Sequence, residues 1–294
     1  MTVLNVSIKE VEELRESLLK IKKYIKKNKI YKESLVNDSK NYQVAVEVLC
    51  DYCKHLQYID EIEPTLFFRV RPLKTEKPFK NSQDLKYKQR NSESLGRMNN
   101  PLINTLYTSF SDQTAMFECD IEDEQLVQLA VFKTTEKIRV YKLGTFGEIY
   151  FRKPLNSEEQ KGLFKKYLNK EKPSQSEIRG LIALETLLME MLYADQKEKD
   201  DYIMTAMIAN AIFKTNEERI DAIAYPSKKH LFGMNLAFNE KYANKLKIEF
   251  SEVRKVKKRY ETGFMICEEI EYCDDCTEEN KWKFKKGNRE HKYY

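Results

Sequence analysis

Glycine and proline are scarce, with 8 and 7 copies in 294 residues, while 41% of the chain is hydrophobic. That apolar content excludes a disordered chain and supplies a real core. No apolar run approaches the roughly 18 residues that a membrane-spanning helix needs. An excess of one charge is also missing. The 52 basic and 47 acidic residues leave a net charge of +5, too mild for a dedicated nucleic-acid binder. The first residues, MTVLNVSIKEVEELRES, become charged at once and contain no apolar segment of signal-peptide type. Six cysteines without an export signal point to reduced thiols and a cytoplasmic protein. Only three histidines occur, His55, His230 and His291, and they do not cluster in sequence.

What is present is a periodic pattern that changes along the chain. Val11, Leu14, Leu18, Ile21 and Ile25 recur every three or four residues, which predicts a helix over 5–29. Val46, Leu49, Cys50, Cys53 and Leu56 predict a second over 43–58. LFFRVR (66–71) reads as a buried strand, and the Lys-rich stretch 74–94 as a loop. A short strand is expected around 105–110, followed by a helix capped by Ser111 with Asp112 in its first turn. Strands are expected at 126–134 and 137–144, and helices at 157–170, 175–194 and 198–214. Strand character returns on both sides of a turn in IDAIAYPSKKHLFGMNLAFNE and again in KLKIEFSEVRKVKKRY. From Asp275 the charged tail is expected to extend away from the core. Strands in both halves with helices between them predict an α/β or α+β fold with a mixed sheet. The expected organisation is a helical accessory region over 1–62, a central domain over 63–252 and a C-terminal strand and charged tail over 253–294.

The stretch LGRMNNPLINTLYTSFSDQTAMFECD (95–120) carries the most chemistry. Gly96 allows close backbone approach, and Arg97 offers a rigid fork of donors suited to phosphate. Asn99, Asn100 and Pro101 are turn formers. Tyr107, on a short strand, offers a ring that can stack on a planar heterocycle. Glu118, two turns into the next helix, can hold a ribose hydroxyl or stabilise an oxocarbenium-like centre. Together these groups suit a dinucleotide whose glycosidic bond is being broken. On spacing alone, a surface Arg, a core Tyr and a solvated Glu account for the stretch more simply.

The order of motifs adds a further argument. FFRV with Arg69, GRMNNP with Arg97, LYTSFSDQTAMFE with Tyr107 and Glu118, and AYPS with Ser227 follow one another over roughly 65–240. This series resembles the signature of the RES domain family. It departs from that signature at Met98, where an aromatic is usual, and at Asn100 before Pro101. The resemblance implies an ADP-ribosyltransferase-like fold with a bent mixed sheet. It also implies an NAD-consuming toxin of a bacterial toxin–antitoxin pair, acting by hydrolysis or phosphorolysis. NAD would be substrate, and a separate antitoxin chain a partner. By residue match, Arg69 and Arg97 would grip the diphosphate or ribose-phosphate side. Tyr107 would pack on the nicotinamide end, Glu118 would bind the ribose and stabilise the transition state, and Ser227 would orient the ligand or Arg69. A protein ADP-ribosyltransferase and a non-catalytic interaction module that keeps the fold are the alternatives.

Other motifs compete for attention. Cys50 and Cys53 with Cys273 and Cys276 form two CxxC pairs that could supply four zinc ligands. Against zinc, the first pair continues the apolar face of a helix and the second lies in an acidic segment without a glycine knuckle. The basic runs 20–29 and 254–260 interleave apolar residues and read as solvated faces. The Met-rich helices over 185–213 read as core.

Overall fold

A computed structural model describes residues 6–27, 40–55, 59–87, 98, 104–145, 157–158, 161–162, 165–166, 174–193, 201–260, 264–278 and 282–294. The fold is α/β, as the alternation of periods predicts, and the chain divides into two compact units. One comprises Met1–Asp60, Ser94–Asn104 and Arg139–Ile223; the other comprises Glu61–Glu93, Thr105–Ile138 and Ala224–Tyr294. No helix among the described residues is long and apolar enough to cross a membrane.

The first unit is mainly helical. Helices α1 (Ile8–Lys27) and α2 (Lys40–Cys53) lie in the N-terminal part. Helices α5 (Gln175–Tyr193) and α6 (Asp201–Thr215) come from the middle of the chain. Two of them start with a reciprocal capping box. The Ser7 hydroxyl accepts from the Glu10 amide at 3.2 Å while Glu10 accepts from the Ser7 amide at 2.7 Å. Ser174 and Glu177 repeat the arrangement at 3.2 and 2.7 Å, so S-x-x-E pins both starts. The predicted stripe of α1 is buried at Val11, Leu14 and Leu18, and Lys20, Lys23 and Lys27 are exposed. Helix α2 packs on α6, where Cys50 Sγ lies 3.6 Å from the Ala211 carbonyl and Thr215 Oγ1 donates to the Cys50 carbonyl at 3.3 Å. Met191, Met204 and Met207 are buried in the same unit. Most of the expected helix 157–170 lies outside the described residues.

The second unit is a sheet with the short helix α4 (Asp112–Glu118) packed on it. Strand β2 (Leu66–Pro72) pairs antiparallel with β3 (Leu106–Ser109) on one side and β4 (Leu126–Lys133) on the other. Strand β3 pairs with β7 (Met234–Phe238), and β4 pairs with the long β8 (Lys247–Arg259). Beyond β8 lie β9 (Met265–Cys273) and, against β9, β10 (Lys285–Lys286) and β11 (Glu290–Tyr293). The remaining strands are β1 (Ile59–Ile62), β5 (Ile138–Lys142) and β6 (Ala222–Pro226); the remaining helices are α3 (Ser82–Lys86), inside the expected loop, and α7 (Glu240–Ala243). Ala115, Met116 and Phe117 of α4 join Val70, Val127, Leu129, Val131, Val256, Met265, Cys267 and Tyr293 in one core cluster.

Two expectations are corrected. The tail does not extend from the core: β10 and β11 pair with β9, and Trp282 and Tyr293 are 5% exposed. In β11 the exposed Glu290 and Lys292 alternate with His291 and the buried Tyr293, and β10 is two lysines, so composition concealed a pair of strands. The run 254–260 is not a purely solvated face either, because Arg254 is 3% exposed and paired to carboxylates.

Phe67 centres the sheet's other face, edge-on to Phe110 at 5.5 Å and Phe238 at 5.4 Å, with no exposure. Phe67→Ala should destabilise the protein by about 3–5 kcal/mol in chemical denaturation, the scale of a buried aromatic deletion.

Candidate functional site

Helix α4 positions Glu118. Ser111 caps its start, the hydroxyl accepting from the Thr114 amide at 3.1 Å, as the sequence predicts. Glu118 ends the helix, where the backbone presents unpaired carbonyls and disfavours a carboxylate. Donors from two other segments offset this. The Ser227 hydroxyl donates to Glu118 Oε1 at 2.5 Å, and Asn235 Nδ2 donates to the same oxygen at 2.7 Å. Both bonds converge on Oε1, so Oε2 is left for another donor.

The partners are themselves fixed. Ser227 Oγ accepts from the amides of Lys229 at 3.1 Å and His230 at 2.9 Å, which leaves its proton for Glu118. Asn235 Oδ1 accepts from Ser109 Oγ on the neighbouring strand at 2.7 Å, which sets the amide orientation. The loop from Ser227 to Gly233 closes with the Ser227 amide donating to the Gly233 carbonyl at 2.7 Å. A β-carbon on Gly233 would lie 2.6 Å from Thr114 Cγ2 and 2.8 Å from His230 Nδ1. Only glycine lets the loop press on α4 there. Lys229 Nζ adds bonds to the Glu118 carbonyl at 3.2 Å and Asp120 at 2.6 Å.

Arg69 approaches on β2. Its Nη1 donates to the Tyr107 carbonyl on β3 at 2.8 Å, and its buried Nε has no hydrogen-bond partner among the described residues. Burial, and then the charge of Arg71, lower the Arg69 pKa to about 10, so the guanidinium stays cationic at neutral pH. Arg71 is two residues along β2, hence on the same face; it sits 4.8 Å over the Phe79 ring and donates to the Tyr87 carbonyl at 3.0 Å. Cys119, the residue after Glu118, places Sγ 3.4 Å from the Val70 carbonyl, which ties the end of α4 to the strand that carries Arg69. Burial pushes the Cys119 thiol up to about 11 against the opposing pull of Arg69, so it is not a ready nucleophile.

The structure therefore brings Glu118 together with Ser227, and Arg69 together with Tyr107, on adjoining elements of one unit. Arg97 lies outside the described residues. Sequence reasoning missed Arg71 and Asn235. Asn235 is 3% exposed between apolar neighbours on β7, and a polar residue at a core-facing strand position is the signal that could have found it. The four cysteines are free thiols, Cys50 and Cys53 buried in the helical unit and Cys273 and Cys276 buried in the sheet unit.

The family model for the RES domain matches residues 66–256, about two-thirds of the chain. The chain belongs to the RES domain family. The match spans Arg69, Tyr107, Glu118 and Ser227 and ends within β8. A search of curated proteins found no match. Among solved structures, the chain is similar to one from the M. tuberculosis MbcT–MbcA toxin–antitoxin complex, at 13% identity and a TM-score of 0.34, covering 70% of this chain and 90% of that one.

Asn235→Asp replaces a donor to Glu118 Oε1 with a second carboxylate, so at neutral pH it should lower stability by about 1–3 kcal/mol or more, read by chemical denaturation against the parent.

Proposed function

We propose that this RES protein cleaves the nicotinamide–ribose N-glycosidic bond of NAD, with water or phosphate as acceptor. The observation that carries the reading is the Glu118 carboxylate held on one oxygen by Ser227 and Asn235. In this reading Oε2 accepts from a hydroxyl of the nicotinamide-side ribose. When the C–N bond breaks, its electron pair leaves with neutral nicotinamide and positive charge spreads over the ribose carbon and ring oxygen. The fixed carboxylate stabilises that charge without having to reorganise. The acceptor oxygen then bonds to the carbon and loses a proton, giving ADP-ribose or its phosphate. Arg69, with its unpartnered Nε, supplies donors for the diphosphate, and Arg71 adds charge on the same face. Tyr107 packs on the nicotinamide end and Arg97 completes the anion grip, both by match to the family pattern. Ser227 acts by orienting Glu118. As for other RES toxins, a separate antitoxin protein would restrain the enzyme, and the site of action would be the cytoplasm.

Glu118→Gln keeps size and hydrogen bonding but removes charge. In an NAD-depletion assay with product chromatography it should lose roughly a hundredfold or more in kcat with little change in NAD affinity. Arg69→Ala should instead raise KM, because the diphosphate is charged before and during the reaction. Near-parental turnover by Glu118→Gln would show that the carboxylate is not catalytic, and loss of activity with ADP-ribose found on a protein would favour the transferase.

A further inference from the structure

The C-terminal strands bury a second polar cluster remote in sequence from Glu118. Strands β8, β9 and β11 are neighbours, with Arg254 opposite Glu269 and Cys267 opposite His291. Glu252, Glu269 and His291 each present one donor atom, and the three atoms lie within 4.8 Å of one another. Glu252 is 7% exposed and Glu269 is 2% exposed. His291 Nε2 is buried without a hydrogen-bond partner and stands 3.9 Å from Glu252 Oε2.

The charges here do not balance. Arg254 reaches Glu252 at 2.6 Å and Asp112, from the start of α4, at 3.1 Å, and it also meets the Tyr293 hydroxyl. Tyr293 in turn donates to Asp112 at 2.8 Å. Although Arg254 is opposite Glu269 in register, its guanidinium is committed elsewhere, and no hydrogen bond or ion pair to the Glu269 carboxylate occurs among the described residues. Glu252 and Glu269 are buried beside this one guanidinium, which Asp112, one-third exposed, shares, so Glu269 has no counter-charge among the described residues. Isolated buried charge is costly, so a carboxylate in this position calls for a counter-charge. Gly287 makes room for it: a β-carbon there would lie 2.4 Å from Glu269 Cγ and 2.5 Å from Oε1.

We propose that Glu252, Glu269 and His291 bind one divalent cation of the zinc–manganese class, which staples β11 to β8 and β9. One imidazole with two carboxylates is a mixed nitrogen and oxygen set that suits such ions. Tetrahedral binding at about 2.1 Å puts donors about 3.4 Å apart, so small rotamer shifts close the set. A divalent ion also supplies the counter-charge that Glu269 lacks. The site is structural and independent of the NAD reading, since it uses no group placed near substrate.

The test is thermal melting of the full chain after chelator treatment, with Zn2+ and Mn2+ added separately, and metal content measured after desalting. At about 100-fold above Kd, the bound ion should raise Tm by roughly 5 °C or more, at one ion per chain. Glu269→Gln should lose the response yet melt no lower than the metal-free parent, because it neutralises an unpaired buried charge. His291→Ala should also lose the response. An unchanged Tm with both ions and no retained metal overturns the site. So does a shift that survives in both variants, which would place the ion elsewhere, for example on the cysteines.

Discussion

The active-site reading depends on one constraint: a carboxylate at the C-terminal end of a short helix must be held by donors from outside that helix. Ser227 and Asn235 meet it, and each needs its own support. Two backbone amides after Ser227 fix the direction of its hydroxyl proton. Ser109 fixes the Asn235 amide across the β3–β7 ladder. Gly233 lets the loop close against Thr114 on α4 itself. Glu118, its two donors and their supports therefore form one network spanning α4, β3, β7 and the Ser227 loop. Interactions in such a network are not additive, so removing one member shifts the others.

Arg69 meets a different constraint. A guanidinium on a central strand of a sheet has few partners, and here Nη1 donates to a strand carbonyl while Nε has no hydrogen-bond partner among the described residues. Leaving a buried donor unmatched costs about 1–3 kcal/mol. Selection tolerates such a cost where an anionic ligand supplies the missing acceptor.

Much of this was legible in the sequence. Helix stripes in α1 and α2, the Ser111 cap and the strands carrying Arg69 and Tyr107 follow from short-range periodicity, and the order of the RES motifs named the family. Asn235 stands out as a polar residue at a core-facing strand position, but its role was not legible, because it depends on a residue 117 positions away. Strand β9 was hidden by its glutamates: MICEEIEYC reads as a polar segment until Glu269 is found turned inward beside Gly287. The tail strands were hidden by their charges, since β11 is anchored by the single large residue Tyr293 and β10 is only two lysines long. Contacts distant in sequence, not local pattern, decide all three.

The proposed function rests on breakage of the nicotinamide–ribose bond. Chromatography of NAD incubated with the purified parental chain, with and without added phosphate, is the deciding experiment. Nicotinamide should appear in step with ADP-ribose or, in phosphate, its phosphorylated form. NAD recovered intact under both conditions from folded protein would overturn the proposed reaction.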